Sequence, residues 1–262
     1  MGSNLSLEMY KMNLNKNIKV AIAIIILLSL FGFANSKQGD MRVEKTDVFV
    51  QQAYDNYFVD DKDVEGLMTE EGKEFIEDKA FKTVDFKGLE RKIKSNLFVE
   101  DAEVYRDVKG MLYVKVEQRK PIARIARSSG GDFYIDGKGN IFPMSEKFTA
   151  RVLVVDGSFV NKLLVKGFKK DAANKPYLAF IKRIESDKFL SAQIHQISID
   201  YLGRINMYQQ VGAQTIEFGY PDENMDKKFQ KLQMFYDRIL PVKGWNAYHR
   251  VNLNFDNQII CE

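Results

Sequence analysis

Apolar and polar positions alternate with a period of two over two neighbouring stretches in the middle of the chain. Val99, Ala102 and Val104 lead into the polar turn Arg106-Asp107-Val108-Lys109-Gly110, after which Leu112, Val114 and Val116 alternate with Tyr113, Lys115 and Glu117. Alternation on both sides of a glycine-bearing turn predicts a β-hairpin with one buried face. Pro121 has no N–H for a ladder and ends the second strand. Upstream, Met41 to Val50 alternates loosely and predicts a first strand. Asp60, Asp61 and Asp63 offer capping carboxylates before Val64, Leu67 and Met68, and Asp85 can cap a helix that puts Phe86, Leu89 and Ile93 on one face. Strand, helix, helix, strand, strand makes a small α+β domain, a three-stranded sheet covered by two helices.

From Ile122 the pattern turns β-rich. Asp132 to Ile135 and Asn140 to Phe142 flank Asp136-Gly137-Lys138-Gly139, which has hairpin turn chemistry, and Arg151 to Val155 predicts another strand. Ile194 to Ile199, Ile205 to Tyr208 and Gln214 to Phe218 predict a meander. Two helices are expected in this region. One runs from Pro176 to Phe189 with Leu178, Ile181 and Ile184 at helical spacing; the other runs from Asp222 to Ile239 with Phe229, Leu232, Tyr236 and Ile239 on one face, ended by Pro241 and Gly244. Val251, Leu253 and Phe255 then alternate with Asn252 and Asn254, Asp256-Asn257 can form a two-residue turn, and Gln258 to Cys261 returns. A strand at this position puts a possible sheet edge at the end of the sequence.

One stretch breaks the globular pattern. Val20 to Ala34 is uncharged and almost wholly apolar, and Lys11, Lys16 and Lys19 precede it. A basic flank before an apolar run is an export signal, with the N-terminus inside and the bulk of the chain outside. Fifteen residues at ~1.5 Å per residue fall short of the ~30 Å hydrocarbon core, but adding Ile18 and letting Lys16, Lys19 and Lys37 snorkel makes a spanning helix possible. Ala34-Asn35-Ser36 also has the small residues of a signal-peptidase site, so cleavage stays open.

Composition narrows the chemistry. The 262 residues are 45% hydrophobic and 29% charged, with only five prolines, which describes a chain that folds. Charge is near balance at +3, so the concentrated basic footprint of a nucleic-acid binder is missing and no nucleic-acid partner is expected. The single Cys261 cannot form an intramolecular disulfide, and His195 and His249 stand far apart without metal-ligand spacing, so no metal or other cofactor is expected. Gly137-x-Gly139 lacks a third glycine and a following long helix, which removes a phosphate-binding reading. Ser128-Ser129-Gly130-Gly131 is the only loop inviting a nucleophile, and it lacks the elbow pattern; Glu70-Glu71 and Asp60-Asp61 read as solvated helix-start carboxylates. The chain is expected to work by its surfaces, without catalysis or a small-molecule substrate.

The hairpin carries a resemblance. Phe98-Val99-Glu100-Asp101-Ala102 running into Val104-Tyr105-Arg106, then Gly110, Leu112 and Val114 through Ala123, is similar to the bacterial FtsQ (DivIB) cell-division family, as are Phe133-Tyr134-Ile135-Asp136 with Gly139 and Ile141-Phe142. The similarity, to Bacteroidetes-type members, continues through Tyr201-Gly203, Thr215 to Gly219 and Trp245-Asn246-Ala247-Tyr248. The resemblance implies a cytoplasmic tail over residues 1–17, a transmembrane signal anchor over 18–36, a POTRA domain over 41–120 and a β domain over 121–262. It further implies a non-enzymatic septal scaffold in the inner membrane, with most of the chain periplasmic. This scaffold would link early and late division proteins and bind partners of the FtsB/FtsL type. Carried over, the strand-addition edge falls on Phe255, Asn257, Gln258, Ile259, Ile260 and Cys261. The alternative is an exported POTRA-bearing module of envelope assembly whose signal peptide is cleaved.

Overall fold

The computed structural model describes residues 18–29, 40–52 and 57–262. Residues 18–29 are helical and exposed. No helix among the described residues is long and apolar enough to cross a membrane. The expected span of 18–36 continues past residue 29 outside the described residues, and the expected tail of 1–17 lies wholly outside them. The described residues divide into two compact units. One comprises the described part of Met1–Val50 with Asp61–Ser95 and Ala102–Val116; the other comprises the described part of Gln51–Asp60 with Asn96–Asp101 and Glu117–Glu262.

The first unit is a three-stranded sheet in the order β1-β3-β2, with β1 at Lys45–Gln51, β2 at Val99–Arg106 and β3 at Met111–Gln118. Alternation fixes which face is covered: Ala102, Val104, Leu112, Val114 and Val116 are buried together with Val64 and Met68 of helix α1 (Asp61–Thr69) and Leu89 and Ile93 of α2 (Phe86–Lys94). Asp85 caps α2 by accepting a hydrogen bond from the Gly88 N–H at 2.9 Å, as its position predicts. In the hairpin turn, Asp107 accepts from the N–H groups of Lys109 and Met111, and Gly110 takes φ +95°, a conformation that disfavours a side chain.

The second unit is built on a nine-stranded sheet ordered β12-β11-β10-β9-β8-β7-β4-β5-β6. Its strands are β4 (Pro121–Ile125), β5 (Phe133–Asp136), β6 (Ile141–Pro143), β7 (Leu153–Asp156), β8 (Ile194–Ile199), β9 (Ile205–Gln209), β10 (Thr215–Gly219), β11 (Arg250–Asn252) and β12 (Ile260–Cys261). The expected meander is present, since β8, β9 and β10 pair antiparallel in sequence order. Three parallel pairings, β4 with β7, β7 with β8 and β10 with β11, are not apparent from alternation.

The helices of this unit differ from the expected two. Helix α3 (Val160–Lys166) was not expected: it is seven residues long, has no side-chain cap, and buries only Val160 and Leu163. The helix expected from Pro176 to Phe189 is two, α4 (Lys175–Ser186) and α5 (Lys188–Gln193). Asp187 between them adopts an extended conformation and accepts from the N–H groups of Phe189 and Leu190, ending one helix and capping the next. The last expected helix is α6 (Met225–Met234), followed by a π-helical turn at Phe235–Ile239 and by α7 (Leu240–Lys243). Pro241 stands in the first turn of α7, where its missing N–H costs nothing, so Gly244 alone ends the run. The wide turn shifts the register, and Leu240 rather than Ile239 is fully buried.

These helices cover one face of the sheet. Phe180 of α4, Phe218 of β10 and Phe229 of α6 meet with ring centroids 4.7 to 5.3 Å apart, amid Ile181, Leu232, Phe235, Ile197, Met207 and Val251. At the β5–β6 end Phe58 packs on Phe98, Tyr134 and Phe148, and the buried Gln118 Oε1 accepts from the N–H groups of Phe58 and Val59 at 2.8 and 3.0 Å.

Asp136 organises the β5–β6 turn. It accepts from the backbone N–H groups of Lys138 and Asn140, from the Asn140 side chain and from the Arg119 guanidinium at 2.7 Å. Burial pushes its carboxyl up, but the hydrogen bonds from Asn140 and Arg119 outweigh that and hold it below the usual carboxylate range.

Two outcomes are expected. Phe218→Ala should destabilise the chain by about 3–5 kcal/mol in urea unfolding, because a cavity opens between α4 and α6. Asp136→Asn should cost about 1–3 kcal/mol near neutral pH. A carboxyl held low in the folded state stabilises above its unfolded value, about pH 4, and loses that contribution as pH falls through the lower folded value. The gap between wild type and Asp136→Asn should therefore narrow on acidification, which unfolding curves at pH 7 and pH 3 would check.

Candidate functional site at the sheet edge

A sheet is exposed to pairing only at its two ends. At one end β6 has three residues and finishes on Pro143, which lacks an N–H, so it is a poor template. At the other end stands β12, which holds two of the six residues expected to form the partner edge, Ile260 and Cys261, while Phe255, Asn257, Gln258 and Ile259 lie in the turn and loop before it. Phe255, Asn257 and Gln258 are exposed; Ile259, Ile260 and Cys261 are half-buried.

The register defines which groups are open. β11 and β12 pair antiparallel with Val251 opposite Cys261 and Asn252 opposite Ile260, and Arg250 and Glu262 exchange both backbone bonds, at 3.0 and 2.9 Å. Alternation then turns the Ile260 N–H and C=O toward β11, and those of Ile259 and Cys261 away from it. The Ile259 and Cys261 side chains pack against the core. Burial pushes the Cys261 thiol up, which makes it a structural side chain and a poor nucleophile.

The hairpin is shorter than its alternation predicts. Asp256 and Asn257 lie in a turn, with Asn257 at φ +56°, but only two residue pairs of the flanking strands are in register. Competing partners explain the loss. The Leu253 N–H donates to Glu217 O at 3.1 Å, the Asn254 side chain donates to the same carbonyl, and the Lys231 ammonium of α6 binds the carbonyls of Leu253 and Phe255. The chain is thereby drawn toward α6 before it turns into β12. Burial holds the Lys231 ammonium below the usual lysine value; the nearby Asp256 opposes this and Lys228 adds to it.

Further supports lie behind the edge. Arg250 spans Glu217 at 3.3 Å and Glu262 at 3.0 Å, which fixes the last residue of the sequence against β10. A buried amide chain sets the entry to β11: Gln193 donates to Gln209, Gln209 donates to Gln214, and Gln214 donates to the carbonyl of Trp245. The Tyr236 hydroxyl, whose ionisation burial strongly disfavours, donates to Gln209 from the π-helical turn. Sequence reasoning missed Lys231, Arg250 and this chain, because nothing local distinguishes a Gln or Lys that closes a network from one in solvent.

The other candidates lie at the surface. Ser128 and Ser129 lie on an exposed loop held by Arg127, whose Nε donates to Gly131 O at 2.8 Å. Glu70 is ion-paired with Lys92 at 2.7 Å and Asp60 with Lys147 at 3.2 Å. Among the described residues no group of three His, Cys, Asp or Glu side chains could hold a metal.

Comparison with known proteins bears on the same two regions. Residues 42–117 match the POTRA-like domain, and residues 120–262 match the family described as FtsQ/DivIB, C-terminal related. No curated protein matches the chain. With more than half of its length matched by that family, the chain belongs to the FtsQ/DivIB cell-division proteins.

Proposed function

We propose that the protein is a non-catalytic, membrane-anchored scaffold of the division septum that captures partners of the FtsB/FtsL type by adding their strand to β12. Family membership supports the cell-division role. The observation that carries the binding mode is the open side of β12, where the register turns the main-chain groups of Ile259 and Cys261 outward. Main-chain hydrogen bonds then supply affinity, while exposed side chains such as Phe255 and Gln258 supply selectivity. The domain division is proposed as 41–120 for the POTRA domain and 121–262 for the β domain, with 18–36 as the anchor and 1–17 inside the cell.

The anchor rests on physical chemistry. Ile22, Ile24, Ile25, Leu27 and Leu28 are all about half or more exposed on the helix of residues 18–29. Such an all-round apolar helix needs lipid or a partner to cover it. Its lysine flank orients the larger part of the chain to the periplasm.

Two measurements test this reading. Ile259→Pro removes an outward donor without touching the β11 ladder, so partner capture by the full chain should drop at least tenfold, whereas Ile259→Ala, which loses the same core packing but keeps the donor, should lower the melting temperature similarly and retain capture; undiminished capture by Ile259→Pro would exclude this edge. Ile260→Pro breaks the internal pair with Asn252 and should also lower stability. Mass measurement of the mature protein from membranes should find residues 1–36 retained; their removal would favour a cleaved signal peptide and an exported module.

A further inference from the structure

A cleft of about 760 Å³ opens where the parallel strands β4, β7 and β8 begin, within the second unit and away from β11, β12 and the Phe255–Cys261 loop. Its volume is in the range of sites that enclose small organic molecules, roughly 300–1,000 Å³. Ile122, Leu153 and Ile184 give it an apolar floor, each less than a tenth exposed.

Two departures from regular pairing converge on it. Between β4 and β5 the register passes from Pro121 opposite Asp136 to Ala123 opposite Ile135, which leaves Ile122 as an extra residue. Between β8 and β9 it passes from Ile194 opposite Gln209 to Gln196 opposite Tyr208, which leaves His195 extra. Both extra residues line the cleft, and β7 stands between their strands. A bulge re-aims a side chain at the cost of ladder pairing and recurs beside binding sites; two at one mouth are hard to account for by packing alone.

The charges are uneven. The cleft is lined by Lys120, Arg151, His195 and Glu185. Lys120 and Glu185 pair with each other at 2.6 Å. Arg151 and His195 are exposed to solvent, and neither has a hydrogen-bond or ion-pair partner among the described residues. A planar guanidinium and an imidazole lining one cleft are a donor set suited to a carboxylate or phosphate.

We propose that this cleft binds a small organic anion, its acidic group held by Arg151 and His195 and its apolar body laid over Ile122, Leu153 and Ile184. The site is separate from the strand-addition edge, so its failure would leave that reading untouched.

The chain has two histidines, which makes the test direct. In the full chain labelled with 13C-histidine, N-acetyl-phenylalanine should move the His195 imidazole resonances and leave those of His249 in place, and its uncharged amide should move neither. Arg151→Ala, an exposed substitution, should weaken that response at least tenfold with an unchanged melting curve. Inorganic phosphate serves as a second probe. A response to phosphate at lower concentration than to the carboxylate supports the site with phosphate esters as the ligand source; the reverse order supports it with carboxylates. His195 resonances that stay still with both anions, that move equally with the amide, or that respond equally in Arg151→Ala would overturn the proposal.

Discussion

Parallel pairing is the constraint on which the second unit depends. Two neighbouring strands can run the same way only if the chain crosses back over the sheet between them. The β7–β8 pair takes α3, α4 and α5 into its crossover, and the β10–β11 pair takes α6, the π-helical turn and α7. Both crossovers lie on the same face, where Phe180, Phe218 and Phe229 lock helix to sheet. The opposite face keeps the alternate positions, among them Gln196, Asn206, Tyr208, Glu217 and Asn252, all half-buried and polar.

One-sided covering has a functional consequence at the edge. The second crossover delivers the chain beside β10 with β11 running parallel to it, so the next strand can only be added outside. β12 takes that place, and it is held from behind rather than in front: Lys231 fixes the loop before it, Arg250 fixes Glu262 after it, and the glutamine chain fixes Trp245 upstream. An edge ordered in this way has already lost most of its conformational entropy. An incoming strand then has to order mainly itself, which favours binding through main-chain bonds.

The cleft at the start of β4, β7 and β8 arises from the same architecture, because parallel strands that begin together leave their first residues without a covering turn. Its bulges give up pairing there, whereas β12 keeps its inward pairing and leaves only its outer side open. One fold thus presents two features of different character, the extended backbone edge proposed for strand addition and the compact charged recess proposed for an anion.

Much of this was legible in the residues. Period-two alternation located every strand of the first unit and the β8–β10 meander, Asp85 announced its helix, and Asp136 announced its turn, because those signals are local and decided within a few residues. The short helix α3 and the π-helical turn carry no local signal, and the break at Asp187, made by a local cap on Phe189 and Leu190, was hidden by apolar spacing that runs through it. The edge divides in the same way. Alternation from Val251 by itself determined that strands close the sequence. Only the tertiary structure decided that the pair would be two residues long, since Glu217 and Lys231, remote in sequence, compete for the backbone of Leu253 to Phe255. Register, and with it the main-chain groups that face outward, depends on that long-range competition, which a local pattern cannot encode.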